Sequence, residues 1–250
     1  MNKEFEIEVC VSSIEMAIEA EKGGADRIEL CSALSEGGLT PFPSLIEMTK
    51  EYLNIKTIIM IRPRGGDFCY SEIEFETMKR DILFCKSQRV EGVVFGILNA
   101  DGTIDKQRTK ELVELSRPLK TCFHRAIDMS DDYIQAFNDI LECGCDRILT
   151  SGKENRAVDG LDLISEIQNL SQGRIEIMVG SGVGSENAKE IYDKTKINHF
   201  HLSAKTTIPS NMIYRNPKIS MGKSGDVEEY DIIYTDAIKI KALRRVLNSL

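Results

Sequence analysis

The sequence has no run of the roughly 18 apolar residues that a membrane-spanning helix needs. It has no C-x-x-C pair, which argues against a structural zinc site or a thioredoxin-like motif. The segment Met1-Asn2-Lys3-Glu4-Phe5-Glu6 offers no apolar core for a secretory signal. Positive charge is short: the net charge is −8 and the pI near 5.1, so neither nucleic acid nor a membrane surface is an expected partner. An anionic ligand would need a local basic pocket. His199 and His201 lack the i, i+4 helical spacing of a metalloprotease, which removes that class. No interdomain linker interrupts the pattern, so residues 1–250 are expected to form a single domain.

The chain does have 250 residues with 42% hydrophobic content, the usual size of an α/β barrel and enough for a large core. Its seven cysteines are an odd number without disulfide-framework spacing, and read as reduced thiols of a cytoplasmic protein. Short apolar runs alternate with amphipathic ones. Strands are expected at Phe5–Cys10, Arg27–Cys31, Lys56–Arg62, Gly92–Ile97, Thr121–His124, Arg147–Thr150, Glu176–Gly180 and His199–Leu202. Helical patterns follow each, from Ser13–Lys22 to Thr235–Asn248, with Ser12 or Ser13, Ser71, Ser130 and Ser185 placed as N-caps. Eight βα units predict an α/β fold, a (βα)8 TIM-type barrel. Gly24-Ala25-Asp26-Arg27-Ile28 is echoed by Gly144-Cys145-Asp146-Arg147-Ile148, a half-chain offset that a barrel of two similar halves would show. The stretch 204–234 after strand eight is expected to be a long loop, of the kind that serves function or assembly.

Alternate strand residues face opposite ways. In the first two strands Glu6, Glu8 and Cys10, then Arg27, Glu29 and Cys31, share one phase, and apolar residues take the other. With helices over the apolar face, the opposite phase is an enclosed, charged interior with thiols at its rim. The interior set continues through Met60, Arg62, His124, Arg147, His199 and His201, with Ser203 at the rim. Buried charges cost several kcal/mol unless paired, so Arg27, Arg62 and Arg147 are expected to pair with Glu8 and Glu29. Those two carboxylates can serve as acid and base, or be purely structural. His124 reads either as a general base or as a satisfied core histidine. Arg62 and Arg64 can clamp an anion, helped by Gly180, Ser181 and Gly182 in the glycine-rich turn after strand seven and by His201 and Ser203. Cys10 and Cys31 end neighbouring strands about 4.8 Å apart, a spacing that admits a two-thiolate Cu(I) site. They can equally be two small buried hydrophobes.

Several longer motifs carry a resemblance. Glu8-Val9-Cys10, the run Gly23 to Ser32, Ser35-Glu36-Gly37-Gly38-Leu39-Thr40-Pro41 and Met60-Ile61-Arg62-Pro63-Arg64-Gly65-Gly66-Asp67-Phe68 are similar to the CutC copper-homeostasis family. Phe123-His124-Arg125-Ala126, Arg147 to Gly152 and His201-Leu202-Ser203-Ala204 continue the match. The resemblance implies a TIM-type barrel, a cytoplasmic location, a homodimer or homotetramer, and Cu(I) as the ion linked to Cys10 and Cys31. The chain departs from the family pattern at Cys69, Cys122 and Ser181, where Leu, Thr and a third Gly are usual. The other function class that the residues suggest is a barrel enzyme acting on a small anionic ligand, a phosphate or carboxylate.

Overall fold

In the computed structural model, which describes residues 5–219 and 229–250, eight parallel strands close into a barrel in chain order. They are β1 (Glu6–Val11), β2 (Arg27–Leu30), β3 (Lys56–Met60), β4 (Gly92–Phe95), β5 (Lys120–Phe123), β6 (Arg147–Thr150), β7 (Glu176–Val179) and β8 (His199–Leu202). Helices α1 (Ile14–Gly23), α2 (Pro43–Tyr52), α3 (Glu72–Ser87), α4 (Lys106–Ser116), α5 (Tyr133–Cys143), α6 (Leu161–Ser171), α7 (Ala188–Thr195) and α8 (Ala237–Leu247) follow the strands. Ser13 and Ser71 cap α1 and α3 as expected, the latter in a reciprocal capping box with Glu74. Ser130 and Ser185 are not N-caps of α5 and α7. Asp132 starts α5 because its carboxylate accepts two backbone N–H bonds, from Ile134 and Gln135, and Asn187 precedes α7.

The half-chain echo has a structural cause. Gly24 and Gly144 both end helices with left-handed backbones, φ +86° and +81°, which a side chain would strain. Two residues on, Asp26 and Asp146 each accept an N–H bond from the preceding strand, from Ile7 at 2.6 Å and Thr121 at 2.8 Å. One turn design thus repeats four units apart.

The strand alternation divides the buried residues into two clusters. Outward-facing Ile7, Val9 and Val11 pack with Ile28, Leu30, Phe95, Phe123, Phe200 and the inner helix faces. The barrel interior holds a smaller cluster of Cys31, Ile58, Met60, Val94, Cys122, Leu149 and Met178. Below it lies a charged floor made by the first residues of five strands: Glu6, Arg27, Arg147, Glu176 and His199. Glu6 ties Arg147 (2.5 Å), Arg27 (3.4 Å) and His199 (3.4 Å) together, and Arg147 also pairs with Glu176.

The segment expected as one long loop is partly ordered pairing. β9 (Lys205–Pro209) and β10 (Asp231–Thr235) form an antiparallel hairpin outside the barrel. Residues 220–228 lie outside the described residues. Thr235 closes β10, which is why the last helix begins at Ala237 rather than at Thr235. No described helix is long and apolar enough to cross a membrane.

Candidate functional site

The C-terminal ends of β1, β2 and β8 bring together Glu8, Cys10, Glu29, Cys31 and His201. Register explains the grouping: Glu8 is level with His201 on one side and Arg27 on the other, and Cys10 is level with Glu29. Glu8 (1% exposed) is held by Arg27 Nε at 2.5 Å and by His201 Nδ1 at 2.7 Å. Burial alone would raise the Glu8 pKa, but the Arg27 guanidinium and His201 hold the carboxyl well below its usual range. His201 shows the converse. Burial would lower its pKa, yet the Glu29 carboxylate and side-chain hydrogen bonds to Cys10 and Glu8 raise it well above the histidine range. Its Nε2 lies 3.9 Å from Glu29 Oε2.

Glu29 is buried, and its pKa is raised by burial and by the Glu8 charge. Glu29 Oε2 accepts from the Cys31 thiol at 3.5 Å, while Oε1 has no hydrogen-bond partner. Burial and the Glu29 charge push the Cys31 thiol far up, so it rests protonated. Cys10 is half-buried and Cys31 fully buried, and both are free thiols. They are not level with one another. Cys31 follows β2 and donates its N–H to Val11 at 2.9 Å, a step beyond the Cys10–Glu29 pair. An offset of two residues across adjacent strands separates the Cα atoms by about 8 Å rather than 4.8 Å. A disulfide does not close over that distance without backbone movement. The stagger that a closed barrel imposes on its strands produces this offset.

The other expected residues are placed differently. Arg147 does not reach Glu8 or Glu29, and its bonds go to Glu6 and Glu176 in the floor. Arg62 also pairs with neither. Its guanidinium donates to the carbonyls of Glu36 (2.6 Å), Gly38 (3.2 Å) and Gly66 (3.0 Å), locking two rim loops together. Arg64 turns outward to Glu74 (2.6 Å) and Asp67 (2.9 Å). Apart from Arg62 Nε, which is buried without a hydrogen-bond partner, the donors of the two arginines go mostly to their own chain. In the turn after β7, the Gly180 N–H donates to Thr150, the Gly184 N–H to Asn187, and the Ser181 hydroxyl to Asn155. Ser181 and Gly182 take left-handed backbones, φ +81° and +67°. Ser203 sits half-buried just past β8.

His124, just past β5 across the barrel, accepts the Ala126 N–H at Nδ1 (3.2 Å) and packs at a tilt against the Phe68 ring, 5.0 Å between centroids. Burial first, then the Arg62 charge, lower its pKa to about 3, so it is a neutral imidazole. Its neighbour Asp128 is saturated by Thr150, Ser151 and Arg125, which fixes the loops after β5 and β6. The alternation reading left out the roles of Glu6 and Glu176. Glu6 shares the phase of Glu8, and that phase was the available signal.

Glu8, Glu29 and His201 each place one donor atom within 4.8 Å of the others, close enough to face a single metal ion. The adjoining thiols extend the donor set to soft ligands. Residues 5–206 match the model of the CutC family. The copper homeostasis protein cutC homolog of Homo sapiens is 44% identical over 246 residues, spanning 98% of this chain and 90% of that protein. A CutC family protein of Parabacteroides distasonis is 44% identical over 94% of this chain and 98% of its own. The CutC structure from Streptococcus agalactiae superposes with TM-score 0.76 at 31% identity, covering 80% of this chain and 98% of that one. Phosphoribosylanthranilate isomerase of Thermotoga maritima (TM-score 0.59, 12% identity, 98% and 100% of the two chains) shares the barrel alone. The chain belongs to the CutC family of copper homeostasis.

Proposed function

We propose that this protein binds Cu(I) in the cytoplasm through Cys10 and Cys31 as part of copper homeostasis. The observation that carries the reading is the meeting of a half-buried and a buried free thiol at one rim of a closed barrel. Thiolates are the soft ligands that Cu(I) prefers. The staggered Cα positions disfavour a direct S–S link, which leaves both thiols free to take an ion. Cys10 gives access from solvent, and Cys31 gives a water-poor seat beside Glu29. Bound Cu(I) is cargo here rather than a resident cofactor.

Assembly into a homodimer or homotetramer would cover the apolar hairpin side chains Ile208, Ile213 and Ile232, which stand exposed. The enzyme reading is less well supported, because the anion clamp it needs is tied up internally at Arg62 and Arg64. The test is an anaerobic Cu(I) titration against a chromophoric chelator. The wild type is expected to take up one equivalent, and Cys10→Ala/Cys31→Ala none, with an unchanged circular dichroism spectrum. Undiminished uptake by the folded double variant would refute the site.

A further inference from the structure

Two thiolates satisfy a linear Cu(I) ion, but the rim holds more than two donors. His201 is level with Glu8, two residues before Cys10, and its Nε2 is 3.9 Å from the Glu29 oxygen that accepts the Cys31 thiol. Its other nitrogen is fixed by Glu8 at 2.7 Å, and Glu8 is fixed in turn by Arg27 at 2.5 Å. Metal-binding histidines are commonly oriented this way, one nitrogen held by a carboxylate and the other turned to the ion. Glu29 adds a second sign of a ligand: it is 4% exposed, yet its Oε1 has no hydrogen-bond partner.

We propose that His201 is a third donor to the ion, giving a site of two sulfurs and one nitrogen with Glu8 as the positioning residue for the imidazole. The inference rests on the Cu(I) reading above. On binding, two Cu–S bonds and one Cu–N bond replace the ion's bonds to the carrier or chelator that delivers it, with no change of oxidation state. The two thiol protons and the Nε2 proton pass to solvent. At Nε2 one cation replaces another, so the Glu8 contact at Nδ1 is kept. A nitrogen donor also explains why a binding rim would hold a histidine braced by two charged groups. A purely two-coordinate thiolate site needs none of that bracing.

The test is X-ray absorption on the copper-loaded wild-type protein, backed by Cu(I) affinities of variants. The expected spectrum contains a nitrogen scatterer beside two sulfurs, with the multiple scattering of an imidazole ring. Glu8→Gln is expected to weaken Cu(I) binding by about 10- to 100-fold, the usual cost of losing a carboxylate behind a ligating histidine. His201→Ala is expected to lose at least as much and to lose the nitrogen signal. A sulfur-only shell would overturn the inference while leaving the two-cysteine site intact. That result includes either the thiolates alone or the thiolates with the Met60 thioether. Wild-type protein that takes up no Cu(I) would overturn the underlying reading instead. Because the absorption spectrum is taken on the wild type, the test does not depend on a buried-residue variant folding.

Discussion

Gly38→Ala is the most direct perturbation of the thiol rim that leaves both sulfurs in place. Gly38 has φ +90°, and an added Cβ would stand 3.1 Å from Cys31 Sγ and 3.4 Å from Met60 Cε. The backbone alone costs an alanine about 1–2 kcal/mol in a left-handed conformation. Crowding against a buried sulfur adds about 1–3 kcal/mol unless that sulfur yields. Gly24→Ala is the control. Its φ is nearly the same at +86°, but its Cβ would meet nothing within 4 Å. The unfolded-state entropy change is common to both variants and cancels. Gly24→Ala should therefore lose about 1–2 kcal/mol, and Gly38→Ala about 2–5 kcal/mol. At roughly 2–4 °C per kcal/mol for a chain of this size, calorimetry resolves the difference. If Cys31 relaxes instead, the stability difference shrinks and the cost reappears as weaker Cu(I) binding. Equal melting temperatures together with wild-type Cu(I) affinity in Gly38→Ala would show that the space beside Cys31 is unconstrained and refute the reasoning.

Three further outcomes are expected. Thr150→Val removes a hydroxyl that donates to Asp128 at 2.5 Å, accepts from the Gly152 N–H and pairs with the Tyr133 hydroxyl. Urea unfolding should show a loss of about 2–4 kcal/mol, and a loss below 1 kcal/mol would mean water replaces the network. Glu8 is depressed from 4.5 to about 2, so its contribution is complete above about pH 4.5 and disappears as pH falls toward 2. The stability difference between wild type and Glu8→Gln should therefore narrow across that window, and a constant difference would contradict the assignment. His124, lowered to about 3, should show the neutral Nε2–H tautomer by nitrogen NMR throughout pH 5–8; titration within that range would mean the ring is solvated.

The period-two phase of β1 and β2 made the charged interior legible, because it needs only local alternation and a helical cover on one side. Cys10, Glu8, Glu29 and His201 were found by that rule. It does not carry register, which depends on how the strands stagger around the whole barrel. Hence Cys31 lies a diagonal step from Cys10 rather than opposite it. Arg62 shows a second limit. Its phase points inward, but the carbonyls at Glu36, Gly38 and Gly66 that capture it come from loops brought near only by folding. Charge type predicted that the buried arginines would be neutralised. It did not reveal that Arg147 finds Glu6 and Glu176 at the floor rather than the rim carboxylates.

The central claim is that Cys10 and Cys31 hold one cuprous ion between them. Anomalous diffraction at the copper edge from crystals loaded anaerobically with Cu(I) tests it most directly. The account predicts one strong peak in contact with both sulfurs and with His201 Nε2. A crystal whose copper sits at exposed Cys69 or interior Cys122, with the Cys10–Cys31 rim free of anomalous density, would contradict it.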